Sequence, residues 1–288
     1  MKLSELFKQE KTVVSFEVFP PKQTTSLDSI FKTTEGLQTL TPDFISITYG
    51  AGGSAPDRTI ETADKIKNTY GIEALAHLTC INSHKDDINA LLNQLQTHKI
   101  ENILAMRGDV PVNKENTNQK VNSYQYAKDL IQYIKSRHDF CIAAAAYPEG
   151  HLECPDLATD ITHLKEKVDS GTDFLITQIF FDNTVLYDFL NRIQQANIHV
   201  PVTAGIMPLL NKRQISRIQG LCGASIPKPL QNIIEKYEHS PLDFEKAGIE
   251  YACSQIKDLL AHQVAGIHLY TMNKLEQSKL IITQTGLR

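Results

Sequence analysis

VVSFEVF (13–19) is a run of apolar residues broken by one carboxylate, Glu17, and closed by Pro20-Pro21. Seven more short runs share its character: FISITYG (44–50), EALAHLTC (73–80), ENILAMRGD (101–109), FCIAAAAYP (140–148), FLITQIFF (174–181), VPVTAGIMP (200–208) and GIHLYTM (266–272). Near-continuous Val, Ile, Phe and Ala is the signature of strands buried on both faces of a parallel sheet. Stretches of helical periodicity separate most of them, as parallel strands require for crossover. Eight such repeats predict an α/β fold, a closed (β/α)₈ barrel, whose chemistry sits at the carboxyl ends of the strands. Those ends carry Glu17, Thr48, His77, Asp109, Tyr147, Gln178 and Tyr270.

The 288 residues suit one barrel, and no linker, low-complexity tract or domain-scale shift in composition divides them, so 1–288 reads as a single catalytic domain. A hydrophobic content of 41% supplies a large core, and a net charge of −4 gives no reason to expect nucleic acid. The N-terminal MKLSELFKQEK lacks an apolar signal region, and no run is long enough for a membrane span. A cytoplasmic protein is therefore expected. Cys80, Cys141, Cys154, Cys222 and Cys253 form no CxxC pair and read as reduced thiols.

Taken in order, a short polar lead of about one helical turn precedes the first strand. Helices are expected over about 26–40, from Pro56 to Gly71 with Ser54 and Asp57 as a capping box, and after a Ser83/Asp86 cap. In the last of these, Ile88, Leu91, Leu92 and Leu95 mark an inner face. Val112–Ser123 holds five Asn or Gln in twelve residues and predicts a flap over the barrel mouth. Further helices are expected near 124–137, 157–170 and 183–196. Three extra ones fall between strands seven and eight: 212–222, one carrying Leu230, Ile233, Ile234 and Tyr237 on one face, and 243–263.

Glu17 in an apolar strand would be partly desolvated, which favours a proton-donating carboxyl; the other reading pairs it with an Arg or Lys across the mouth. Met106-Arg107-Gly108-Asp109 offers charge of both signs beside a glycine that lets a planar ligand approach the backbone. By pattern His77 is a buried structural histidine, whereas His151, in a mouth loop, is the better ligand candidate. Gln178, a polar amide in an apolar strand, needs hydrogen-bond partners, either within the barrel or from a ring with adjacent donor and acceptor. Asp160 and Lys167, seven apart, share one helix face, which by pattern reads as a solvated one. No metal-ligand spacing, GxGxxG, P-loop or GxSxG motif is present, so no metal site is expected.

SFEVFPPK (15–22), SITYGAGGS (46–54), AHLTC (76–80), LAMRGDVP (104–111), AAAYPEGH (144–151), ITQIFFD (176–182), AGIMP (204–208) and LYTMNK (269–274) together resemble the methylenetetrahydrofolate reductase family over nearly the whole chain. The resemblance implies a flavoprotein oxidoreductase of one-carbon and methionine metabolism. It would hold FAD non-covalently and use NADH or NADPH to reduce 5,10-methylenetetrahydrofolate to 5-methyltetrahydrofolate. Hydride would pass through flavin N5 in two half-reactions at one site, hence with ping-pong kinetics.

By the same resemblance Glu17 is the general acid that opens the methylene bridge to a 5-iminium cation, and Asp109 is the carboxylate beside flavin and pterin. Thr48, Tyr49, Ala51, His77, Met106, Arg107, Gly108, Asp109, Tyr126, Ala127, Tyr147, His151, Asp160 and Lys167 match flavin-binding positions. Gln178, Gln214, Tyr270 and Lys274, with Glu17 and Asp109, match substrate-binding positions. Lys274 replaces an arginine, Ile218 an aromatic, and His163 and Glu166 polar or basic residues near the adenine and phosphates. The chain ends just after the barrel, as in the short microbial form without the S-adenosylmethionine-sensing domain, and a homo-oligomer is compatible with the family.

Two rival classes make distinct demands. A flavin-free barrel lyase or aldolase needs a Schiff-base lysine or metal ligands at strand ends, where Lys274 is the nearest lysine. A non-catalytic scaffold leaves Glu17, Asp109 and Gln178 without purpose.

Overall fold

The structure, a computed structural model, describes residues 1–21, 24–49, 56–81, 83–108 and 124–288. The eight apolar runs form parallel strands: β1 (Val13–Val18), β2 (Phe44–Ile47), β3 (Glu73–Thr79), β4 (Asn102–Met106), β5 (Cys141–Ala146), β6 (Phe174–Thr177), β7 (Val202–Ile206) and β8 (Gly266–Tyr270). Each pairs with its neighbour in sequence, and β8 returns to β1, so the sheet closes on itself. Among the described residues an α-helix follows each of the first six strands: α1 (Asp28–Gln38), α2 (Pro56–Asp64, running on into a π-helical turn, Lys65–Thr69), α3 (Lys85–Thr97), α4 (Ala127–Arg137), α5 (Leu157–Asp169) and α6 (Asn183–Gln195). Between β7 and β8 lie α7 (Arg213–Cys222), α8 (Lys228–Lys236) and α9 (Pro241–Ala261), and α10 (Leu275–Thr285) follows β8. This is the expected (β/α)₈ barrel with added helices before the last strand.

Strand alternation sorts the core into two bodies. Val14, Phe16, Val18, Ile45 and Ile47 face outward and pack against helix residues such as Ile30, Leu37, Ile88, Leu92 and Ile131. Val13, Phe44, Leu75, Leu104 and Phe174 face inward and fill the amino end of the barrel. The short N-terminal lead proves to be more than a polar turn. As a 3₁₀ helix (Leu3–Lys8) it buries Leu3 and Leu6 in that inner cluster, with the Phe7 ring 5.0 Å from Phe174. Positions i and i+3 eclipse in a 3₁₀ helix, so two leucines three apart enter the barrel together. Asn102 fixes the plug by accepting from Leu3 N at 2.8 Å and donating to the Met1 carbonyl.

Local capping differs from expectation at α3. His84 caps it, accepting from Asp86 N while Asp87 accepts from His84 N, and Ser83 instead donates to the Thr79 carbonyl. The inner face Ile88, Leu91, Leu92, Leu95 is buried as its periodicity predicts. The Ser54 cap and the Val112–Ser123 flap lie outside the described residues. The excursion between β7 and β8 has its own core of Met207, Leu209, Ile215, Ile218, Leu230 and Phe244, against which Ile233, Ile234 and Tyr237 pack half-buried.

Candidate active site

The inward positions change chemistry along the barrel axis, from apolar at the plugged end to polar at the carboxyl end. Ser15 and Glu17 on β1, Ser46 on β2, His77 on β3 and His268 on β8 are all buried there. Glu17 Oε2 stands 3.5 Å from His77 Nε2 and 3.5 Å from His268 Nε2. Ser46 Oγ lies 2.5 Å from His77 Nε2, and Ser15 Oγ lies 2.8 Å from His268 Nδ1. Burial pushes the His77 imidazole down to about 4, so it is neutral at neutral pH even beside a carboxylate. Among the described residues the groups paired with Glu17 are thus two histidines and not an Arg or Lys.

The backbone of Glu17 is also held. Thr271 Oγ1 donates to the Glu17 carbonyl at 2.6 Å, and Asn273 brackets Phe19, accepting its N–H at 2.9 Å and donating to its carbonyl at 2.8 Å. Met272 and Asn273 both take positive φ, 52° and 55°, to turn the chain back over the end of β1. Such φ values are uncommon outside glycine and are kept where surrounding contacts over-determine them.

A second group occupies the β4–β5–α5 side. Arg107 and Glu153 form a two-pronged pair at 2.6 and 2.9 Å, and the Arg107 charge is further favoured by nearby Tyr147 and Tyr126. Tyr147 and His151 meet edge to face at 4.8 Å. Lys167 donates from α5 to the Ala145 carbonyl at 2.6 Å; burial lowers its ammonium to about 8, opposed by Asp160. Burial likewise raises Asp160, opposed by Lys167 and His151. Asp160 and Lys167 are both half-buried, so the helix face they share is turned partly inward and is not fully solvated. Gly108 takes φ +86°, where a Cβ would lie 2.9 Å from the Thr79 side chain.

The remaining candidates are more dispersed. Gln178, half-buried at the end of β6, accepts from Ile179 N at 2.9 Å and has its own N–H on the Ala146 carbonyl at 2.7 Å. Tyr270 pairs in register with Glu17, and its hydroxyl donates to the Thr177 carbonyl at 2.8 Å. Thr48 continues the β1–β2 ladder through its N–H on the Val18 carbonyl, and Tyr49 packs on the outer core, with burial raising its phenol to about 12. Met106 reaches the inner cluster. Tyr126 is exposed and Ala127 opens α4. Gln214 spends its carbonyl oxygen on Leu210 N and Asn211 N at 2.6 and 3.0 Å, capping the entry to α7. Lys274 is exposed at the start of α10, Ile218 is buried in the excursion core, and Glu166 is paired with Lys128 at 2.7 Å. Asp109 and Ala51 lie outside the described residues.

His268, Thr271 and Asn273 were not singled out by sequence reasoning, although GIHLYTMN places a histidine two residues before a strand end. His268 Nε2 is buried and makes no hydrogen bond among the described residues. The donor chemistry of the β4–β5–α5 side, a guanidinium paired with Glu153, a half-buried ammonium and an imidazole beside two phenols, fits an anionic ligand with aromatic parts such as FAD. The β1–β8 side, with one carboxyl between two imidazoles, fits proton transfer.

Residues 2–286 match the family model for methylenetetrahydrofolate reductase. Methylenetetrahydrofolate reductase (NADH) 1 of Arabidopsis thaliana is 35% identical over 99% of this chain and 50% of its own length, so the chain spans about half of that relative. The 5,10-methylenetetrahydrofolate reductases of Salmonella typhimurium and Escherichia coli are 34% and 33% identical, each match covering 96% of this chain and 91% of the relative. Among solved structures, a Clostridium thermocellum protein that binds two copies of 5-methyl-5,6,7,8-tetrahydrofolic acid superposes with a TM-score of 0.67 at 16% identity, covering 100% of this chain and 99% of its own. That likeness speaks for the fold alone.

Proposed function

Because the chain belongs to the methylenetetrahydrofolate reductase family, we propose that it reduces 5,10-methylenetetrahydrofolate to 5-methyltetrahydrofolate, with FAD at the barrel mouth and NADH or NADPH as electron donor. One observation carries this reading: a buried carboxyl flanked by two histidines faces the same mouth as a separate cluster of Arg107, His151 and Lys167. When bound, the flavin supplies the chemistry that takes hydride from the nicotinamide and returns it to the one-carbon unit.

The chain's own residues do the rest. Glu17 gives its proton to the nitrogen that departs when the methylene bridge opens, leaving an iminium on the other nitrogen to receive hydride. His77, kept neutral by burial, and His268 flank the carboxyl while Thr271 and Asn273 fix the backbone beneath it. Arg107, His151 and Lys167 hold the anionic parts of the cofactor, and Gln178 reads the pterin edge. Lys274 meets the glutamate tail with charge but without a two-pronged fork. Asp109 would supply a negative charge that favours a cationic substrate. Donor and acceptor share one mouth, so they bind in turn. Five free cysteines, and no helix among the described residues long and apolar enough to cross a membrane, suit a reducing cytoplasm.

Anaerobic stopped-flow at the flavin absorbance band tests the reading. Bleaching by NADH or NADPH followed by recovery on adding methylenetetrahydrofolate is the expected result. Bleaching without recovery would remove the folate from the proposal, and no flavin spectrum after adding FAD would remove the whole of it.

A further inference from the structure

The ladder between β6 and β7 breaks in a specific way. Its register runs Leu175↔Val202 and Ile176↔Thr203, with Leu175 N on the Pro201 carbonyl. Continued as a regular parallel ladder, Gly205 N–H would donate to the Thr177 carbonyl. Instead Gly205 N donates to Thr177 Oγ1 at 2.9 Å, and the freed carbonyl accepts from Tyr270 OH at 2.8 Å. On its other edge β6 stays paired, through Ala146↔Thr177 and Gln178 N on the Ala146 carbonyl. Beyond Thr177, therefore, β6 leaves β7 and keeps to β5. Gly205 makes room for this: a Cβ there would lie 2.4 Å from the Thr177 carbonyl oxygen and 2.8 Å from the Tyr270 ring.

Resting on the reading above, we propose that Thr177 is a positioning residue for the substrate. Its hydroxyl stands in for the backbone carbonyl, holds β6 open against β7, and so aims Gln178 into the mouth. The same carbonyl, through Tyr270, ties Gln178 to the strand pair that carries Glu17, since Tyr270 is the register partner of Glu17. Thr177 thus sets the spacing between the amide that reads the ring and the acid that opens the methylene bridge. A threonine fully buried in an apolar strand is otherwise bland.

Thr177→Val keeps the shape and removes the acceptor, leaving Gly205 N–H to compete with Tyr270 for the carbonyl. The test measures 5-methyltetrahydrofolate binding to FAD-loaded enzyme by flavin absorbance, and NADH turnover with menadione, for wild type, Thr177→Val and Thr177→Ser. The expected result is about tenfold weaker folate binding in the valine variant, the size of one well-placed hydrogen bond, with menadione turnover and flavin content unchanged and serine restoring binding. Wild-type binding in Thr177→Val overturns the proposal, as does a serine variant as weak as valine, or equal losses of folate binding and menadione turnover. If the valine variant does not fold, Tyr270→Phe decides: it releases the same carbonyl and should also weaken folate binding, and unchanged binding overturns the proposal. If wild-type holoenzyme binds no folate, the reading of the activity fails first, and this proposal with it.

Discussion

His268 Nε2 and Glu17 Oε2 face each other at 3.5 Å inside the barrel, one on the last strand and one on the first. His77 reaches the same oxygen from β3 at the same distance. Among the described residues, two imidazoles and no guanidinium or ammonium flank the carboxyl. The relationship exists because the sheet closes: Ser15↔His268 and Glu17↔Tyr270 are register partners across the β1–β8 seam.

Glu17→Gln separates the two half-reactions. It should retain FAD and oxidise NADH with menadione at the wild-type rate, while methylenetetrahydrofolate reduction falls roughly 10²–10⁴-fold, the usual span for a lost general acid. Stopped-flow traces of each half-reaction check this, and equal losses in both would remove Glu17 from the folate step.

The low basicity of His77 makes acid stability depend on it. The unfolded histidine takes up a proton near its ordinary value of 6.5, whereas the native one resists until about 4. Stability is therefore full above 6.5 and declines as pH falls from 6.5 to 4, by at most about 3 kcal/mol at 1.36 kcal/mol per pH unit. Urea unfolding at pH 7 and pH 4.5 should show a shallower loss for His77→Gln than for wild type.

Lys167 should make flavin binding depend on pH in the alkaline range. Its ammonium, lowered to about 8 by burial, loses its proton as pH rises through that value, and the attraction for an anionic ligand goes with it. Fluorescence titration of FAD into flavin-depleted protein should give a dissociation constant that rises above pH 8. Lys167→Met should bind weakly throughout with little pH dependence, and a slope retained in that variant would point to another group.

The N-terminal plug should contribute stability and leave the chemistry alone. Leu3→Ala removes a fully buried side chain from the inner cluster and should cost about 2–5 kcal/mol. Denaturant midpoints measure the cost, and menadione turnover at low temperature should be unchanged, because the plug closes the end of the barrel opposite the mouth.

Asn273→Ala removes both hydrogen bonds to Phe19 and places alanine at φ 55°. Folate turnover should fall more than flavin affinity, since the bracket supports β1 rather than the β4–β5 side. Parallel assays of the two quantities distinguish this from general loss of fold.

Much of this was open to inspection in the sequence. A strand buried on both faces must be apolar nearly throughout, so a charged or amide side chain inside one, as at Glu17 and Gln178, stands out. The plug did not, because MKLSELFKQEK reads as polar until the 3₁₀ turn places Leu3 and Leu6 on one side. Thr177 passed unnoticed because threonine is at home in any strand, and only the missing ladder bond reveals what its hydroxyl does. Gln214 and Glu166 show the converse: their positions are legible, but their partners, the backbone at Leu210–Asn211 and Lys128, are set by packing.

By itself, then, the sequence determined the barrel, the order of its strands and the residue types at their carboxyl ends, because hydrophobic periodicity is a local property of the chain. Tertiary structure alone decided which of those residues meet. Glu17 and His268 are separated by most of the chain and brought together only by closure of the sheet. Proton affinity, hydrogen bonding and strand spacing depend on distance and burial, and those quantities come into being only when the barrel closes.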